Sequence, residues 1–225
     1  VFSRGRGKLN LVSFFMRIDP AGWPFILGGL AVALLSWLTG GPLFGLLFGV
    51  LTLFFLFFFR DPDRQHNAPD SAVVSPADGR VMVAGDPTGT PPPGTSRQIS
   101  IFLSPMDVHV NRMPVSGRVM TVKYHPGRFL PAYRHEAGDL NEYTEVTIDH
   151  EGQTIVVRQI VGILARRIVC RAQEGDTVKS GGRFGVMKFG SRMDVFLPAG
   201  SAIHTQVGAK VVGGVSVIAT LPPRS

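Results

Sequence analysis

The dipeptide Gly190-Ser191 is the most informative feature of the sequence, although most Gly-Ser pairs are ordinary turns. A serine hydroxyl can attack the carbonyl carbon of the residue before it, and glycine has no side chain that blocks this approach. The peptide bond then becomes an ester, and elimination followed by hydrolysis converts the serine into an N-terminal pyruvoyl group. This ketone is an electron sink for amine substrates. Gly190-Ser191 therefore predicts a chain that cuts itself and makes its own catalytic group, provided that other residues support the reaction.

Two further side chains fit the acid–base work that such a cleavage requires. The serine hydroxyl needs a base or an orienting group, and the attacked carbonyl needs a hydrogen-bond donor. His109 is the best acid–base candidate, because imidazole titrates near neutral pH. Asp78 stands before Gly79 in a sharp turn, where its carboxylate can orient an imidazole or a serine. Both residues also have an ordinary interpretation. Asp78 can belong to a simple Asp-Gly hairpin turn, and His109 can be a hydrogen-bonded histidine in a strand.

A glycine-rich segment just before the dipeptide supports a rival interpretation. Residues 174–182 contain the acidic residues and glycines that make tight corners between short strands, and Met187-Lys188 follows them. The pattern resembles the barrel-sandwich hybrid of lipoyl and biotinyl carriers, in which a lysine in a hairpin is modified. The rival hypothesis is a membrane-tethered carrier domain modified at Lys188. It leaves the apolar N-terminal part of the chain unexplained.

The elements that position these residues begin with a long uncharged segment. No charged residue occurs at positions 20–59, and residues 40–42 separate two apolar runs at 25–39 and 43–59. At about 1.5 Å per residue each run spans roughly 23–26 Å, slightly less than the bilayer core of about 30 Å. A transmembrane hairpin and a deeply interfacial hairpin both remain open. A buried soluble hairpin is disfavoured, because residues 54–59 have no polar face.

Basic residues flank the hairpin on both sides, whereas its connection has none. The positive-inside tendency therefore places both ends, and everything after residue 60, on the cytoplasmic side of the cell membrane. The formal net charge of +7 suits an anionic lipid surface. Nucleic acid is disfavoured as a partner, because the basic residues are scattered and not interleaved with exposed aromatic residues. The flanking residues are Arg4, Arg6, Lys8, Arg17, Arg60 and Arg64.

From residue 72 onward the pattern changes to short strands bounded by turn residues. We predict a mainly β fold: a compact antiparallel β domain with barrel-sandwich-hybrid features, preceded by the helical hairpin. The predicted division is a basic arm at 1–19, the hairpin at 20–59 and the β domain at 60–225. Neither zinc spacing nor a nucleotide-cradling glycine loop occurs, so no metal and no nucleotide is predicted. The strands are predicted at 81–84, 98–103, 118–124, 144–149, 154–160 and 211–219.

Four ordered motifs carry a family resemblance: residues 58–62, 74–81, 102–114 and 189–194. With the hairpin in front of them, they resemble the short-form phosphatidylserine decarboxylases. The resemblance implies cleavage between Gly190 and Ser191 into a β chain, 1–190, and an α chain, 191–225, which stay associated. It also implies a covalent pyruvoyl cofactor derived from Ser191. That cofactor would form a Schiff base with phosphatidylserine in the membrane and release phosphatidylethanolamine. A homo-oligomer is compatible with these expectations.

The motif around His109 departs from that of the longer bacterial relatives. They carry a second histidine three residues further on, as the middle member of an Asp-His-Ser arrangement, and this chain has Arg112 there. A guanidinium is not a useful base at pH 7. The base is therefore His109 or a substitute such as His125 or His135. Arg112 is predicted to pair with the lipid phosphate or the substrate carboxylate, and Lys188 to help to hold the anionic head group.

The state of the chain distinguishes the three hypotheses that the sequence leaves. A decarboxylase is cut at Gly190-Ser191, a carrier is uncut and modified at Lys188, and a membrane-tethered scaffold is neither cut nor modified. The sequence does not distinguish a diacyl from an ether lipid backbone in the substrate.

Overall fold

The computed structural model describes residues 17–163, 168–188 and 190–223. Over these residues the chain forms an N-terminal helical hairpin followed by antiparallel β-sheets, which confirms the predicted mainly β class. Of the basic arm predicted at 1–19, only residues 17–19 fall within the described part. The sheets are open, and no closed barrel occurs in the part of the chain that is described.

The hairpin consists of a 3-10 turn at Pro20–Gly22 and two helices, α1 (Trp23–Gly40) and α2 (Pro42–Phe58). Asp19 caps its start, because the carboxylate accepts a backbone N–H at 2.9 Å. Gly41 makes the reversal between the helices with a φ of +93°, which favours glycine. By length and composition, residues 20–40 suffice to cross a membrane, and α2 is a shorter apolar helix. Large apolar side chains cover the outside of both helices, among them Leu27, Leu34, Leu35, Leu38, Leu43, Leu46, Leu47 and Leu53.

The remaining elements are short strands and one helical turn. Their bounds, in chain order, are β1 (Arg17–Ile18), β2 (Arg60–Asp61), β3 (Ala72–Val74), β4 (Gly79–Gly85), β5 (Arg97–Leu103), β6 (Val110–Arg112), β7 (Gly117–His125), α3 (Ala137–Leu140), β8 (Tyr143–His150), β9 (Gln153–Ile160), β10 (Val169–Cys170), β11 (Thr177–Val178), β12 (Arg183–Val186), β13 (Ser191–Leu197), β14 (Ala202–Ile203), β15 (Lys210–Val211) and β16 (Val217–Thr220).

The main sheet has eight antiparallel strands in the order β11-β7-β8-β9-β13-β5-β4-β15. Two three-stranded sheets accompany it, with the orders β10-β12-β6 and β14-β16-β3. Five of the predicted strands are confirmed, as β4, β5, β7, β8 and β9. The predicted strand at 211–219 is wrong, because a turn through Gly213 and Gly214, with Gly214 at a φ of +70°, separates β15 from β16.

Strand β13 lies in the middle of the main sheet, hydrogen-bonded to β9 on one side and to β5 on the other. Side chains alternate between the two faces of a strand. Met193 and Val195 belong to the main hydrophobic core, so Ser191 faces that core as well. Arg192 and Asp194 occupy the opposite face, which we call the outer face, and form a buried ion pair there.

Residues just before and just after the hairpin pair with each other at its base. Strand β1 lies antiparallel to β2, with Ile18 opposite Arg60. The backbone N–H of Asp19 also donates to the carbonyl of Phe59 at 2.9 Å. This pairing closes the base of the hairpin and fixes the start of α1 next to the end of α2.

Candidate active site

Gly190 and Ser191 lie at the turn that leads into β13. Gly190 has a φ of +74°, in the left-handed region that favours glycine. Ser191 is fully buried, and its Oγ has no hydrogen-bond partner. Buried hydroxyls normally bond to something, so an unpartnered one calls for an explanation.

The carbonyl oxygen of Gly190 lies against Gly162. Gly162 follows β9, the strand that pairs with β13. A Cβ atom built on Gly162 would overlap this oxygen, far inside the 3.0 Å that real Cβ atoms respect. Glycine at position 162 is therefore what allows the carbonyl to occupy its place. The sequence analysis missed this residue, and no local motif marks it.

His109 is fully buried, and one of its two ring nitrogens has a partner. Its Nδ1 lies 2.9 Å from the carbonyl oxygen of Asp107, and since a carbonyl only accepts, Nδ1 carries the proton. Nε2 is left as a free lone pair, and it has no partner. Burial lowers the pKa of His109 to about 4, so the imidazole is neutral at physiological pH. The ring of Phe58, at the end of α2, packs on it with centroids 4.1 Å apart.

The backbone of His109 runs beside the segment that precedes the turn. Its carbonyl accepts from the backbone N–H of Met187 at 3.2 Å, and the next residue, Val110, pairs with Val186. The three-stranded sheet of β10, β12 and β6 thus brings His109 next to the residues leading to Gly190-Ser191.

Asp78 is bound by residues other than histidine. Arg64 donates to both of its carboxylate oxygens, to Oδ1 in a very short contact and to Oδ2 at 2.8 Å. The backbone N–H of Gly213 also donates to Oδ1 at 2.8 Å. Asp78 affects His109 only through its charge, which opposes the larger effect of burial on the pKa of the imidazole. The structure thus brings Asp78 near His109 without a hydrogen bond between them.

Arg112 and Lys188 both lie where the hairpin meets the β-sheets. The buried Arg112 guanidinium donates to the carboxylate of Asp61 at 3.2 Å and to the carbonyls of Pro62 and Gly181 at 2.8 and 3.0 Å. These contacts tie the exit of the hairpin to the β domain, and substrate binding by Arg112 stays a prediction. The Nζ of Lys188 lies 4.6 Å from the ring centroid of Phe25 in α1.

The two substitute histidines lie away from Ser191. His125 stacks on Tyr143 with centroids 4.4 Å apart, and register places both on the outer face. The carbonyl of His135 lies 3.4 Å from a guanidinium nitrogen of Arg192, also on the outer face. Of the three candidate histidines, only His109 is shown with its backbone beside the segment that precedes Ser191.

An apolar cavity of about 400 Å³ has Gly190 in its wall. It lies close to the base of the hairpin, because Arg60 donates to the carbonyl of Met106, next to the lining residue Pro105, at 2.7 Å. Among the described residues, no group of three or more His, Cys, Asp or Glu side chains is arranged to hold a metal ion. The other lining residues are Phe102, Pro131, Ala132, Tyr133 and Ile163.

A pair of buried amides is the second feature that the sequence analysis missed. Gln159 in β9 donates from Nε2 to Oδ1 of Asn111 in β6 at 2.8 Å, while Asn111 Nδ2 and Gln159 Oε1 have no partner. Two signals were available in the sequence. Asn111 lies two residues after His109, on the same side of an extended segment. Gln159 is the one polar residue at the alternate positions 155, 157, 159 and 161.

Comparison with known proteins places this site in a family. A sequence model of the phosphatidylserine decarboxylase family matches residues 51–219. A phosphatidylserine decarboxylase proenzyme of Granulibacter bethesdensis is 44% identical over 212 residues, covering 91% of this chain and 85% of the relative. Proteins of the same name from Solibacter usitatus and Beijerinckia indica are 48% and 45% identical, over 84% and 90% of this chain and 89% and 88% of their own lengths. The matched region contains the hairpin exit, His109 and the Gly190-Ser191 turn, and the chain belongs to the phosphatidylserine decarboxylase family.

Proposed function

We propose that this chain cleaves itself between Gly190 and Ser191 and then decarboxylates phosphatidylserine with the pyruvoyl group so formed. The observation that carries the proposal is the buried, unpartnered Ser191 hydroxyl, which directly follows a left-handed glycine. The relatives are named proenzymes, which fits a precursor that is processed.

His109 has the properties that the first step needs. Its free Nε2 accepts the hydroxyl proton as Ser191 Oγ bonds to the carbonyl carbon of Gly190. The C–N bond then breaks, and the proton passes to the nitrogen of residue 191, which leaves an ester. Loss of the Cα proton of residue 191 breaks its Cβ–Oγ bond, and Oγ leaves in the new carboxylate of Gly190. One water molecule then replaces the nitrogen, which leaves as ammonia.

The residues around the turn fit a pyruvoyl group at position 191. The site is buried, and it contains a neutral imidazole without a second partner. When present, the ketone supplies the electron sink that carboxylate loss requires. His109 is the proton donor to carbon in this reaction: its free Nε2 first takes a proton from the ammonium group of the substrate and then gives that proton to the carbon that loses the carboxylate. Asp78 is a positioning residue for Arg64 at the hairpin exit, because Arg64 donates to both of its carboxylate oxygens.

The surroundings of the turn favour a membrane lipid as the substrate. The cavity at Gly190 is lined by apolar side chains and lies close to the base of the hairpin. Lys188 lies beside the first helix, where a lipid phosphate at the membrane surface is within reach of an ammonium group. We propose that the hairpin anchors the chain in the cell membrane with the β domain on the cytoplasmic side, as the flanking arginines favour.

Intact-mass analysis of the purified full chain tests the proposal. We expect an α fragment of 35 residues, roughly 3.8 kDa by its share of the 24.3 kDa chain, lighter by one ammonia than the same peptide with N-terminal serine. Ser191→Ala should leave one uncut, inactive chain. Ser201→Ala is the matched control, since Ser201 is also buried but its hydroxyl donates to the carbonyl of Pro198 at 2.8 Å. That variant should be cut.

The same measurement separates the alternatives. An uncut wild-type chain with added mass on Lys188 indicates a carrier, and an uncut, unmodified chain indicates a scaffold. Either result would contradict the decarboxylase proposal. Decarboxylation of phosphatidylserine vesicles by the Ser191→Ala variant would contradict it as well. Vesicles of diacyl and of ether phosphatidylserine, assayed in parallel, identify the lipid backbone that is accepted.

A further inference from the structure

Four buried polar atoms without partners lie on the two surfaces that meet at the cleavage turn. They are Ser191 Oγ, His109 Nε2, Asn111 Nδ2 and Gln159 Oε1. Buried polar atoms are nearly always bonded, and three further atoms of this kind are known in the described part of the chain. Four such atoms, on His109, Asn111, Gln159 and Ser191, indicate polar groups that are kept available for a reaction.

The strand register and one hydrogen bond place Ser191, Gln159 and Asn111 near one another. Gln159 pairs with Met193, so it is a diagonal neighbour of Ser191 on the core face of the sheet. Diagonal neighbours of this kind have Cα atoms about 7–8 Å apart, within reach of a long side chain. On the facing sheet, Asn111 follows His109 by two residues, and the bond from Gln159 Nε2 to Asn111 Oδ1 joins the two surfaces.

The same bond fixes which end of the Asn111 amide is turned to the site. Because Gln159 donates to Oδ1, the carbonyl end of Asn111 is used and the Nδ2 donor is left over. A hydroxyl oxygen can donate one hydrogen bond and accept others. These three groups make no hydrogen bond with one another in the structure. When the side chains approach to hydrogen-bond distance, Ser191 Oγ can donate to His109 Nε2, accept from Asn111 Nδ2 and still keep a lone pair for attack.

Resting on the proposed self-cleavage, we infer that Asn111 Nδ2 is the hydrogen-bond donor to Ser191 Oγ and that Gln159 is the positioning residue that orients Asn111. Negative charge collects on Oγ twice, first when the proton leaves to His109 and again when Oγ departs in the carboxylate of Gly190. An amide donor aimed at that oxygen favours both steps, and it favours the elimination most because a full charge forms there. The Gly190 carbonyl oxygen is turned to Gly162, so it does not compete for this donor.

Cleavage kinetics of the freshly synthesised full chain test the assignment of Asn111. Removal of one such donor typically slows a reaction by about 10²–10³-fold, so Asn111→Ala should slow the appearance of the α fragment by about 100-fold. Because elimination is the step that suffers most, the ester should accumulate, and hydroxylamine should cut it to give an N-terminal serine. Cleavage at the wild-type rate, or slow cleavage with no ester to trap, would overturn the assignment.

A pH profile tests the positioning role of Gln159. In Gln159→Glu, a protonated carboxyl group still donates to Asn111 Oδ1, whereas an ionised one accepts from Nδ2 and removes the donor. We expect the cleavage rate of this variant to be near normal while the glutamate is protonated and to fall by about 100-fold as the glutamate ionises. The pH–rate profile of the wild-type chain should not show this fall. A Gln159→Glu profile that parallels the wild type would refute the role.

The matched control is Gln98→Glu. Gln98 is also buried, but it lies on the outer face, where its Nε2 donates to Ser100 and Asp194 at 3.0 and 3.1 Å. This variant should show no new pH limb in cleavage. Thermal unfolding of each variant in the uncut Ser191→Ala background separates a folding defect from slow cleavage. A wild-type chain that is never cut would instead refute the proposed function itself.

Discussion

Gly162→Ala is the sharpest single test of the geometry at the cleavage turn. Gly162 does not have a positive φ, so alanine there strains no backbone angle. The added Cβ would overlap the carbonyl oxygen of Gly190, which must retreat by about 1 Å to reach the 3.0 Å that real Cβ atoms respect. A misplacement of about 1 Å at a reacting group can cost about 10²-fold in rate. We therefore expect cleavage to slow by about 100-fold.

The assay follows the α fragment over time after synthesis of the chain, with the Ser191→Ala form as the uncut reference. Gly28→Ala is the control, because a Cβ built on Gly28 meets nothing within 4 Å. It should be cut at the wild-type rate. Thermal unfolding in the Ser191→Ala background should show that Gly162→Ala still folds. A folded Gly162→Ala chain that is cut at the normal rate would show that the carbonyl does not lie against residue 162 when it reacts.

The remaining predictions concern charge. The pKa of His109 is lowered by burial, so the unfolded chain takes up its proton below pH 6.5 and the folded chain only near pH 4. In the uncut Ser191→Ala protein, the contribution of His109 to the unfolding free energy should be complete above pH 6.5. About 3 kcal/mol of unfolding free energy should be lost between pH 6.5 and 4, as measured by urea titrations. His109→Phe should abolish that loss. Cleavage should stay constant above pH 5 and fall below pH 4, measured as the α-fragment rate; constancy to pH 3 would contradict a neutral-base role. Asp78→Asn should lower the unfolding free energy by about 3 kcal/mol, because it leaves the mostly buried Arg64 unpaired, and a second change, Arg64→Met, should restore part of it. If the double variant is no more stable than Asp78→Asn, the ion pair is not the cause.

The parts of the fold that local patterns determine were predictable from the sequence. An uncharged segment with a central Gly-Gly-Pro predicts a helical hairpin, and alternating apolar runs between turn residues predict strands such as β5 and β9. The strand predicted at 211–219 failed because its apolar composition hides two consecutive glycines that reverse the chain. Pairing between distant strands, such as that of β13 with both β9 and β5, has no local signal.

Residue types with intrinsic reactivity could be picked out as candidate site residues from the sequence. Contacts between residues that are distant in the chain could not be predicted in this way. Ser191 and His109 are proposed from the chemistry of hydroxyl and imidazole groups, and the structure shows both buried with an unpartnered side-chain atom. The partners of Asp78 and Arg112 do not, because Arg64 and Asp61 come from the hairpin exit and meet them only in the folded chain. Gly162 and the Asn111–Gln159 contact likewise depend on sheet register. Ordinary residue types such as these gain a role only from what they touch.

The position of β13 has a consequence for the severed molecule. A cut before Ser191 would produce a short polypeptide whose first strand, β13, is still hydrogen-bonded to β9 and β5. Its later strands β15 and β16 would still pair with β4 and β3. The two pieces are thus interlaced at three separate places. Detaching the smaller one requires tearing the main sheet apart down its middle, so the nicked protein should melt as one cooperative unit, and its fragments should separate only in denaturant.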